Sequence, residues 1–548
     1  MPIKTSYSIG ISTTDDSVDV TRVDNQSKIR DIDELANESL AARFISSCEV
    51  HAGQCVVSTG GEQFTYQRLF EHCVSFAAHL QELPEFESEN HVGVQIGNSI
   101  EYLIAFYGTL LAGGVVVPIP MTAPIAKREQ LCRLSDTFVV ADVAACNSPE
   151  PQIQLTVGGK NATRTTVHIA RGVAKFTDLR RRGTQPEELA MLMFTSGSSG
   201  EPKAVMLSHQ NLVANCDSIC QFLPITKSDR ALAITPFAHA LGNSVLQTHV
   251  MSGATLVIEE DLKFPAEQLQ ALQKHKCSSL TAVPEVMENL GSLISQSSLT
   301  DGSLRYLAVA GGRMDPDRAL DLQDRIAPAN LFLMYGQTEA TARLAYLRPD
   351  RLGDSAHTIG CAIPNVSLEV RDSENRSLPA GQTGVLHARG PNVMLGYYND
   401  SKATSEVMSD GWLNTGDLAK IGKDGLIEIC GRESGLVKVQ GYRFHPLEVE
   451  QITASVLHGA QIVVVPFSFF GHTRLALCAR VRDGGEPEPK GGIEPAMLKQ
   501  ICEQTLAPYM MPQRYEIIES WPLNAGGKID RKALASRFSK PHIASEAG

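Results

Sequence analysis

The stretch Met193-Phe-Thr-Ser-Gly-Ser-Ser-Gly-Glu-Pro-Lys203 joins small hydroxyl residues, two glycines and a lysine that follows a proline. Glycine lets the chain adopt positive φ and bring backbone N–H groups close to an anion. The hydroxyl side chains add hydrogen-bond donors, and Lys203 adds a positive charge. The stretch therefore predicts a loop that binds a polyphosphate such as ATP.

The segments on either side of this loop are apolar. Residues 189–194 predict a buried strand before it, and the apolar sequence resumes at residues 204–207. Because α/β proteins commonly bind ligands where loops leave strand ends, this placement favours a binding loop. The loop differs from a Walker motif, since Glu201 and Pro202 separate the second glycine from Lys203. A flexible Gly/Ser linker is the less favoured alternative, because a linker rarely lies between two apolar segments.

Strand-like and helix-like segments alternate around the loop and favour a mostly parallel sheet. Residues 91–96 predict a strand, and Asn98 behind them is a helix-start signal. Residues 102–120 carry no charge and have the composition of a membrane span. Gly113 and Gly114 would end a helix inside this segment. We therefore predict a buried helix followed by a buried strand, and no transmembrane segment.

The composition is that of a globular protein too large for one hydrophobic core. The chain has 548 residues, of which 43% are hydrophobic and 20% charged, so we expect a large domain and a smaller one. The net charge of −12 argues against nucleic-acid binding and favours small ligands or a partner protein. The 12 cysteines lack the paired spacing of a zinc site and indicate reduced thiols in a cytoplasmic protein.

The segment from Thr195 to Lys203 resembles the signature of the adenylate-forming superfamily, which includes acyl-CoA synthetases, peptide-synthetase adenylation domains and luciferases. Further segments resemble motifs of this family in the family's order, and the resemblance extends from about residue 64 to residue 534. These segments are Tyr335-Gly-Gln-Thr-Glu339, residues 384–398, Gly411-Trp-Leu-Asn-Thr-Gly-Asp417, residues 429–443 and residues 522–531.

The resemblance implies an α/β fold with a large N-terminal domain and a small, mobile α+β C-terminal domain. The large domain would contain two doubly wound βα subdomains and a small β-barrel-like subdomain. We predict a polar arm over residues 1–37, the adenylation domain over residues 38–432, and the C-terminal domain over residues 433–548.

The resemblance also implies roles for individual residues. Glu339 would hold Mg²⁺, the Tyr335 ring would cover the adenine, and Asp417 would accept hydrogen bonds from two ribose hydroxyls. The implied catalytic residues are Lys203, His239, Glu339 and Lys528, the last of which lies on a glycine-rich loop. The implied nucleotide-binding residues are Thr195, Ser196, Gly197, Ser198, Ser199, Gly200, Lys203, Gly311, Gly312, Tyr335, Gly336, Thr338, Glu339, Asp417, Arg432 and Lys438.

Residues 429–443 resemble the hinge of the family. Arg432 corresponds to the residue that supports the ribose and phosphate. Relatives typically carry Asp or Lys at the pivot position, where this chain has Ser434 followed by Gly435. Small residues can absorb a change of backbone angles, so a rotation between two states is compatible with this departure.

The acyl pocket is implied at the strand that ends in Pro236-Phe237. An aromatic residue or a histidine gates the carboxylate pocket in the family, and this role corresponds to His239; a structural histidine is the alternative reading. Adenylation domains for α-amino acids bind the ammonium with an aspartate, where this chain has Ala240. We therefore expect an acyl or aryl carboxylic acid without a free α-amino group. The expected pocket residues are His239, Ala240, Leu241, Asn243, Ala310, Gly311 and Gly312, and Asn243 and Arg313 could recognise a polar substituent.

The implied reaction has two halves. A carboxylate attacks the α-phosphate of ATP and expels pyrophosphate, and a thiol then attacks the acyl adenylate. Coenzyme A is the expected acceptor, and the phosphopantetheine arm of an acyl or peptidyl carrier protein is the alternative because it presents the same thiol. An amino acid substrate would accompany that alternative. A non-catalytic adenylate-binding regulator and a luciferase-like oxygenase are less favoured.

Overall fold

The computed structural model describes most of the chain after residue 37. The described residues are 38–143, 152–157, 163–168, 176, 179–180, 184–196, 201–259, 262–295, 302–435, 437–439, 442–457, 460–469, 472–481, 493–523 and 529–539. The predicted N-terminal arm therefore lies outside the described residues.

Helices and strands alternate along the described chain. The α-helices are α1 (Leu40–Val50), α2 (Tyr66–Glu82), α3 (Ile100–Leu111), α4 (Ile125–Leu134), α5 (His209–Phe222), α6 (Ala240–Met251), α7 (Pro265–Lys274), α8 (Pro284–Leu293), α9 (Pro316–Ile326), α10 (Leu352–Ser355), α11 (Ser401–Val407), α12 (Pro446–Ala454), α13 (Pro495–Thr505) and α14 (Arg531–Ser539). The strands are β1 (Cys55–Thr59), β2 (Glu62–Thr65), β3 (His91–Gln95), β4 (Val115–Pro118), β5 (Val139–Val143), β6 (Gln152–Val157), β7 (Thr163–His168), β8 (Leu189–Ser196), β9 (Pro202–Ser208), β10 (Arg230–Leu232), β11 (Thr255–Val257), β12 (Ser279–Ala282), β13 (Tyr306–Val309), β14 (Asn330–Tyr335), β15 (Ala345–Leu347), β16 (Cys361–Ala362), β17 (Ser367–Arg371), β18 (Thr383–Arg389), β19 (Gly396–Tyr397), β20 (Met408–Ser409), β21 (Trp412–Ile421), β22 (Ile427–Arg432), β23 (Val437–Val439), β24 (Tyr442–Phe444), β25 (Ala460–Phe469), β26 (His472–Val481) and β27 (Arg514–Ile517).

An eight-stranded sheet carries the predicted phosphate loop. Its order is β19-β9-β8-β4-β3-β5-β6-β7, and the neighbours β8, β4, β3 and β5 run parallel. Strands β8 and β9 form an antiparallel hairpin in which Thr195 lies opposite Lys203. The loop therefore leaves the end of a largely buried strand, as predicted, although residues 197–200 at its tip lie outside the described residues.

A nine-stranded sheet forms the second βα unit. Its order is β16-β15-β14-β13-β12-β10-β11-β1-β2, with a parallel centre from β14 to β1 and antiparallel strands at both edges. Helices connect the parallel strands, because parallel neighbours need a crossover. The two sheets confirm the predicted doubly wound α/β architecture.

A smaller antiparallel sheet follows in the chain. It contains β17, β18, β21 and β20 in that order, with β22 paired to β21. Within the described residues this sheet does not close on itself, so the predicted barrel-like subdomain is an open antiparallel sheet.

The C-terminal segment builds its own core. Strands β25 and β26 are antiparallel, and β27 pairs with β26 in parallel. Val449 of α12, Leu477 of β26 and Leu498 of α13 are fully buried in one cluster. Arg531 at the start of α14 forms an ion pair of 2.5 Å with the buried Glu450 and joins α14 to α12.

The long apolar segment folds as α3 and β4, both almost entirely buried, as the glycine pair predicts. No helix within the described residues is long and apolar enough to cross a membrane. A helix starts behind Asn98 as predicted, but its N-cap is Ser99, which accepts a hydrogen bond from the backbone N–H of Tyr102. Asn98 instead donates to the carbonyl oxygens of Ala233 and Thr235, each at 2.9 Å. It thereby ties the two large sheets together beside the predicted acyl pocket.

Candidate active site

A cavity of about 530 Å³ opens where the ends of β13 and β14 meet the β8–β9 hairpin and strand β21. Ten predicted site residues line it: Thr195, Lys203, Ala240, Leu241, Ala310, Gly311, Gly336, Thr338, Glu339 and Arg432. Residues at or just beyond the ends of five strands, and residues at the start of one helix, therefore converge on a single cavity. Its size is in the range of small-molecule sites.

Several predicted residues do not line this cavity. Tyr335 and Asp417 lie directly behind its wall, and Gly312, His239 and Asn243 lie beside it. Gly197, Ser198, Ser199, Gly200 and Lys528 lie outside the described residues, and only the backbone of Ser196 and Lys438 is described, in β8 and β23.

The turn after β14 is held in an unusual conformation. Thr341 and Ala342 have φ values of 54° and 93°, which cost free energy for residues other than glycine. A Cβ atom at Gly336 would overlap the carbonyl oxygen of Ala342, so only glycine fits there. The buried Asn392 fixes the turn, because its amide donates to the carbonyl oxygens of Ala340 and Arg343 at 3.0 and 2.9 Å.

Glu339 lies within this turn and faces Tyr397 of β19. The Tyr397 hydroxyl donates to Glu339 Oε1 at 2.9 Å, and Lys203 Nζ lies 4.7 Å from the Tyr397 ring centroid. Burial and the adjacent Glu339 charge raise the pKa of Tyr397, so its hydroxyl remains a protonated donor. The Glu339 carboxylate and the Lys203 ammonium group therefore contact the same tyrosine, one at its hydroxyl and the other at its ring.

The groups around Glu339 fit a magnesium ion that is shared with a nucleotide. Mg²⁺ in phosphate sites is usually bound by one or two carboxylates, together with waters and substrate phosphates. Glu339 supplies one carboxylate, and the hydroxyl groups of Thr195 and Thr338 line the same cavity. No group of three or more histidine, cysteine or acidic side chains forms a metal cluster within the described residues, so the protein alone offers no complete cage.

Asp417, Tyr335 and Arg432 form a compact polar group behind the cavity. The Tyr335 hydroxyl donates to Asp417 Oδ2, and Arg432 Nε lies 2.6 Å from Asp417 Oδ1. Residues 417 and 432 are direct partners in the β21–β22 pair, which sets this geometry. Burial and the Asp417 charge raise the pKa of Tyr335, which therefore stays a donor. Asp417 is therefore a buried carboxylate held by its neighbours.

His239 stands at the N-terminal cap of α6, next to the cavity residues Ala240 and Leu241. Its ring reaches solvent, but protein atoms crowd it, and the partial loss of hydration lowers its pKa. The ring is therefore neutral at neutral pH. Gly242 allows the helix start to approach the preceding loop closely, because a Cβ atom there would overlap the carbonyl oxygen of Pro236.

The connection to the C-terminal segment passes directly beside the site. Residues 433–435 form a short 3₁₀ turn after Arg432. Side chains at Gly431 or Gly435 would overlap the imidazole of His445, which caps α12. Leu523 and Ile529 form an isolated β-bridge on either side of the loop that contains Lys528.

Four charged or phenolic cavity residues were not predicted from the sequence: Arg343, Tyr397, Glu406 and Glu433. Tyr397 lies within a segment that resembles a family motif, but its contact with Glu339 spans 58 residues. The sequence did contain a signal for Arg343 as a cavity residue, because Arg343 is the one charged residue between Ala340 and Tyr346, directly before β15.

A family model described as AMP-binding enzyme matches residues 44–398, more than half of the chain. The long-chain-fatty-acid–CoA ligase of Yersinia pestis is 27% identical, over 92% of this chain and 95% of that protein. The medium-chain fatty-acid–CoA ligase of Escherichia coli is 26% identical, over 87% of this chain and 86% of that protein.

Solved structures share the fold at lower identity. The amide bond synthetase McbA from Marinactinospora thermotolerans superposes with a TM-score of 0.77 at 22% identity, covering 91% of this chain and 99% of that structure. These comparisons confirm the resemblance to adenylate-forming enzymes. The chain belongs to the AMP-binding enzyme family.

Proposed function

We propose that this protein activates a carboxylic acid with ATP and transfers the acyl group to the thiol of coenzyme A. A carboxylate oxygen attacks the α-phosphorus of ATP, and the bond to pyrophosphate breaks. The thiol then attacks the carbonyl carbon of the acyl adenylate, loses its proton, and AMP departs. The observation that carries this proposal is one cavity with Thr195, Lys203 and Glu339 at one end and Ala240, Leu241, Ala310 and Gly311 at the other.

The phosphate-binding end supports the first half of the reaction. Lys203, Thr195 and Thr338 offer donors to the phosphates, and Glu339 would hold Mg²⁺, which supplies charge neutralisation when bound. Tyr397 orients Glu339 through a hydrogen bond of 2.9 Å. Asp417 and Arg432 would bind the ribose and Tyr335 the adenine, because all three are already held together by mutual contacts.

The other end supports a carboxylic acid without a free α-amino group. Ala240, Leu241, Ala310 and Gly311 line it, and none of them carries a carboxylate. An ammonium group buried there without a partner would be costly. His239 would contribute a neutral ring at the pocket entrance.

We further propose that Lys528 binds the carboxylate and α-phosphate during adenylation and then withdraws, so that the thiol can enter. Rotation of the segment after Arg432 would produce both arrangements. The small residues of the 433–435 turn suit such a hinge. We place the reaction in the cytoplasm, since the eleven described cysteines are all free.

The test is a screen for pyrophosphate release with ATP, Mg²⁺ and panels of fatty, aromatic, hydroxy and amino acids, with and without coenzyme A. We expect acid-dependent pyrophosphate release, and multiple turnovers with acyl-CoA formation only when coenzyme A is present. If adenylation occurs but no acyl-CoA forms, and a phosphopantetheinylated carrier protein restores thioester formation, then the carrier protein replaces coenzyme A as the acceptor. Turnover of free α-amino acids and of no simple acid would contradict the substrate class.

A further inference from the structure

Arg343 is a buried guanidinium in the wall of the active-site cavity. It directly follows the strained residues Thr341 and Ala342 and precedes β15. Its exposed fraction is 3%, and it lines the cavity of about 530 Å³. Arginine is rarely buried unless it is paired, so its partners decide its role.

The described partners of Arg343 leave most of its donors unused. Arg343 Nε donates to Met334 Sδ at 3.4 Å, and Nη1 donates to the carbonyl oxygen of Ala342 at 3.2 Å. Among the described residues no carboxylate forms an ion pair with it. Burial lowers the pKa of Arg343 to about 10, so the group remains positively charged at neutral pH. An uncompensated buried charge is costly, whereas an anion bound from the cavity would remove that cost.

The position of Arg343 points to the acyl end of the cavity rather than to the phosphate end. Met334, which accepts its Nε–H, belongs to an apolar cluster that also contains Ala310 and Leu241. Ala310 and Leu241 line the same end of the cavity. The phosphate end has its own cation, Lys203, beside Tyr397.

The space behind this end of the cavity is small. A separate buried cavity, with room for about one water molecule, shares Ala240 with the main cavity. Asn243 and Gln247 line this small cavity and are 3% and 1% exposed. The side-chain amide nitrogen of each lacks a hydrogen-bond partner among the described residues. Met191, Met193, Leu207 and Leu212 also line the small cavity, but a long alkyl chain would find no room there.

We propose that Arg343 binds a second carboxylate on the acyl substrate, so that this protein activates a short dicarboxylic acid at one end. This inference rests on the proposed function, because it assigns the substrate of the same adenylation site. The planar guanidinium fork would bind the distal carboxylate in bidentate fashion. Asn243 and Gln247 would limit the length of the substrate.

The test compares matched acids in the pyrophosphate-release assay: succinate with butyrate, glutarate with valerate, and adipate with hexanoate. For at least one pair we expect kcat/KM to favour the dicarboxylic acid by roughly 10-fold or more, as for a hydrogen bond to a charged group. Arg343→Met should abolish that preference and leave the KM for ATP unchanged. Arg343→Lys, which keeps the charge but loses the fork, should retain part of it. Arg348→Met, at an exposed ion pair with Asp350, is the matched control and should behave like the parent.

The outcomes separate this inference from the proposed function. If the parent protein turns over monocarboxylic acids and prefers none of the matched dicarboxylic acids, the proposed role of Arg343 is overturned. The proposed adenylation reaction is then left intact. If Arg343→Met raises the KM for ATP equally with every acid, Arg343 binds the phosphates. That result also overturns the inference that Arg343 binds a second carboxylate. Absence of pyrophosphate release with every acid overturns the proposed function and this inference together. The parent measurement decides the question even if a variant fails to fold.

Discussion

At the scale of single residues, the site is organised by two carboxylates with different partners. Among the described residues, Glu339 accepts one side-chain hydrogen bond, from Tyr397, and we propose that its other oxygen binds Mg²⁺. Asp417 is held by Tyr335 and by Arg432. The first arrangement suits a metal ion and phosphates, and the second suits the neutral hydroxyl groups of a ribose.

Tyr397→Phe should raise the concentration of Mg²⁺–ATP needed for half-maximal pyrophosphate release by roughly 10-fold, because Glu339 loses a charged hydrogen bond while the ring beside Lys203 remains. Tyr398→Phe is the matched control, since the Tyr398 hydroxyl contacts the exposed Asp136 instead. Equal behaviour of the two variants would remove Tyr397 from the metal site.

Asp417→Ala should weaken ATP binding by about 1.5–3 kcal/mol, because it removes the acceptor for two ribose hydroxyls, while the chemical step is left intact. Calorimetric titration with ATP measures this loss. Asp354→Ala removes one negative charge at an exposed position of α10 and should bind ATP like the parent. An unchanged affinity in Asp417→Ala would place that residue outside the nucleotide site.

At the scale of elements, strand ends and helix starts position the site. One helix start, that of α5, also makes the stability of the protein depend on pH. His209 is the first residue of α5, is 3% exposed, and has a ring Nδ1 without a hydrogen-bond partner. Burial lowers its pKa to about 4. A positive charge there is disfavoured further by the helix N-terminus.

We expect the protein to lose stability through His209 as the pH falls from about 6.5 towards 4. The unfolded chain, with a histidine pKa near 6.5, binds the proton first, so acid favours unfolding; the loss amounts to about 2 kcal/mol at pH 5. Thermal unfolding at pH 7.5 and pH 5 should show a smaller decrease in Tm for His209→Gln than for the parent. His357→Gln, at an exposed histidine, is the control. Identical decreases in all three proteins would contradict the role of His209.

The sequence predicts elements well where the signal is local and fails where it is not. The apolar segment that becomes α3 and β4 is readable because Gly113 and Gly114 separate two apolar runs. Asn98 and Ser99 are equally good helix caps, and only the contacts of Asn98 with Ala233 and Thr235 decide between them.

The same limit applies to the site. Thr195, Lys203 and Glu339 follow from motifs that place donors and acceptors at short spacing. The contact of Tyr397 with Glu339 depends on the pairing of β19 with β9. The burial of Arg343 depends on the path of the chain after the strained turn at Ala342. Neither arrangement has a local signal.

At the scale of the whole molecule, two doubly wound sheets meet a small antiparallel sheet, and the cavity lies at their junction. The C-terminal segment packs around its own core and contacts the site through His445, which lies against Gly431 and Gly435. We propose that this contact separates as the C-terminal segment turns between adenylation and thioester formation. Lys528 belongs to the part of the chain that would approach and leave the cavity.

The most direct test of the central claim measures carboxylate-dependent pyrophosphate release in the parent, in Lys528→Ala and in the control Lys532→Ala, an exposed lysine of α14. We predict that Lys528→Ala slows release by at least about 100-fold, corresponding to roughly 3 kcal/mol of transition-state stabilisation, while ATP affinity stays within about an order of magnitude. Lys532→Ala should match the parent. Release by Lys528→Ala at the parental rate, or release by the parent that is independent of added acid, would contradict the account.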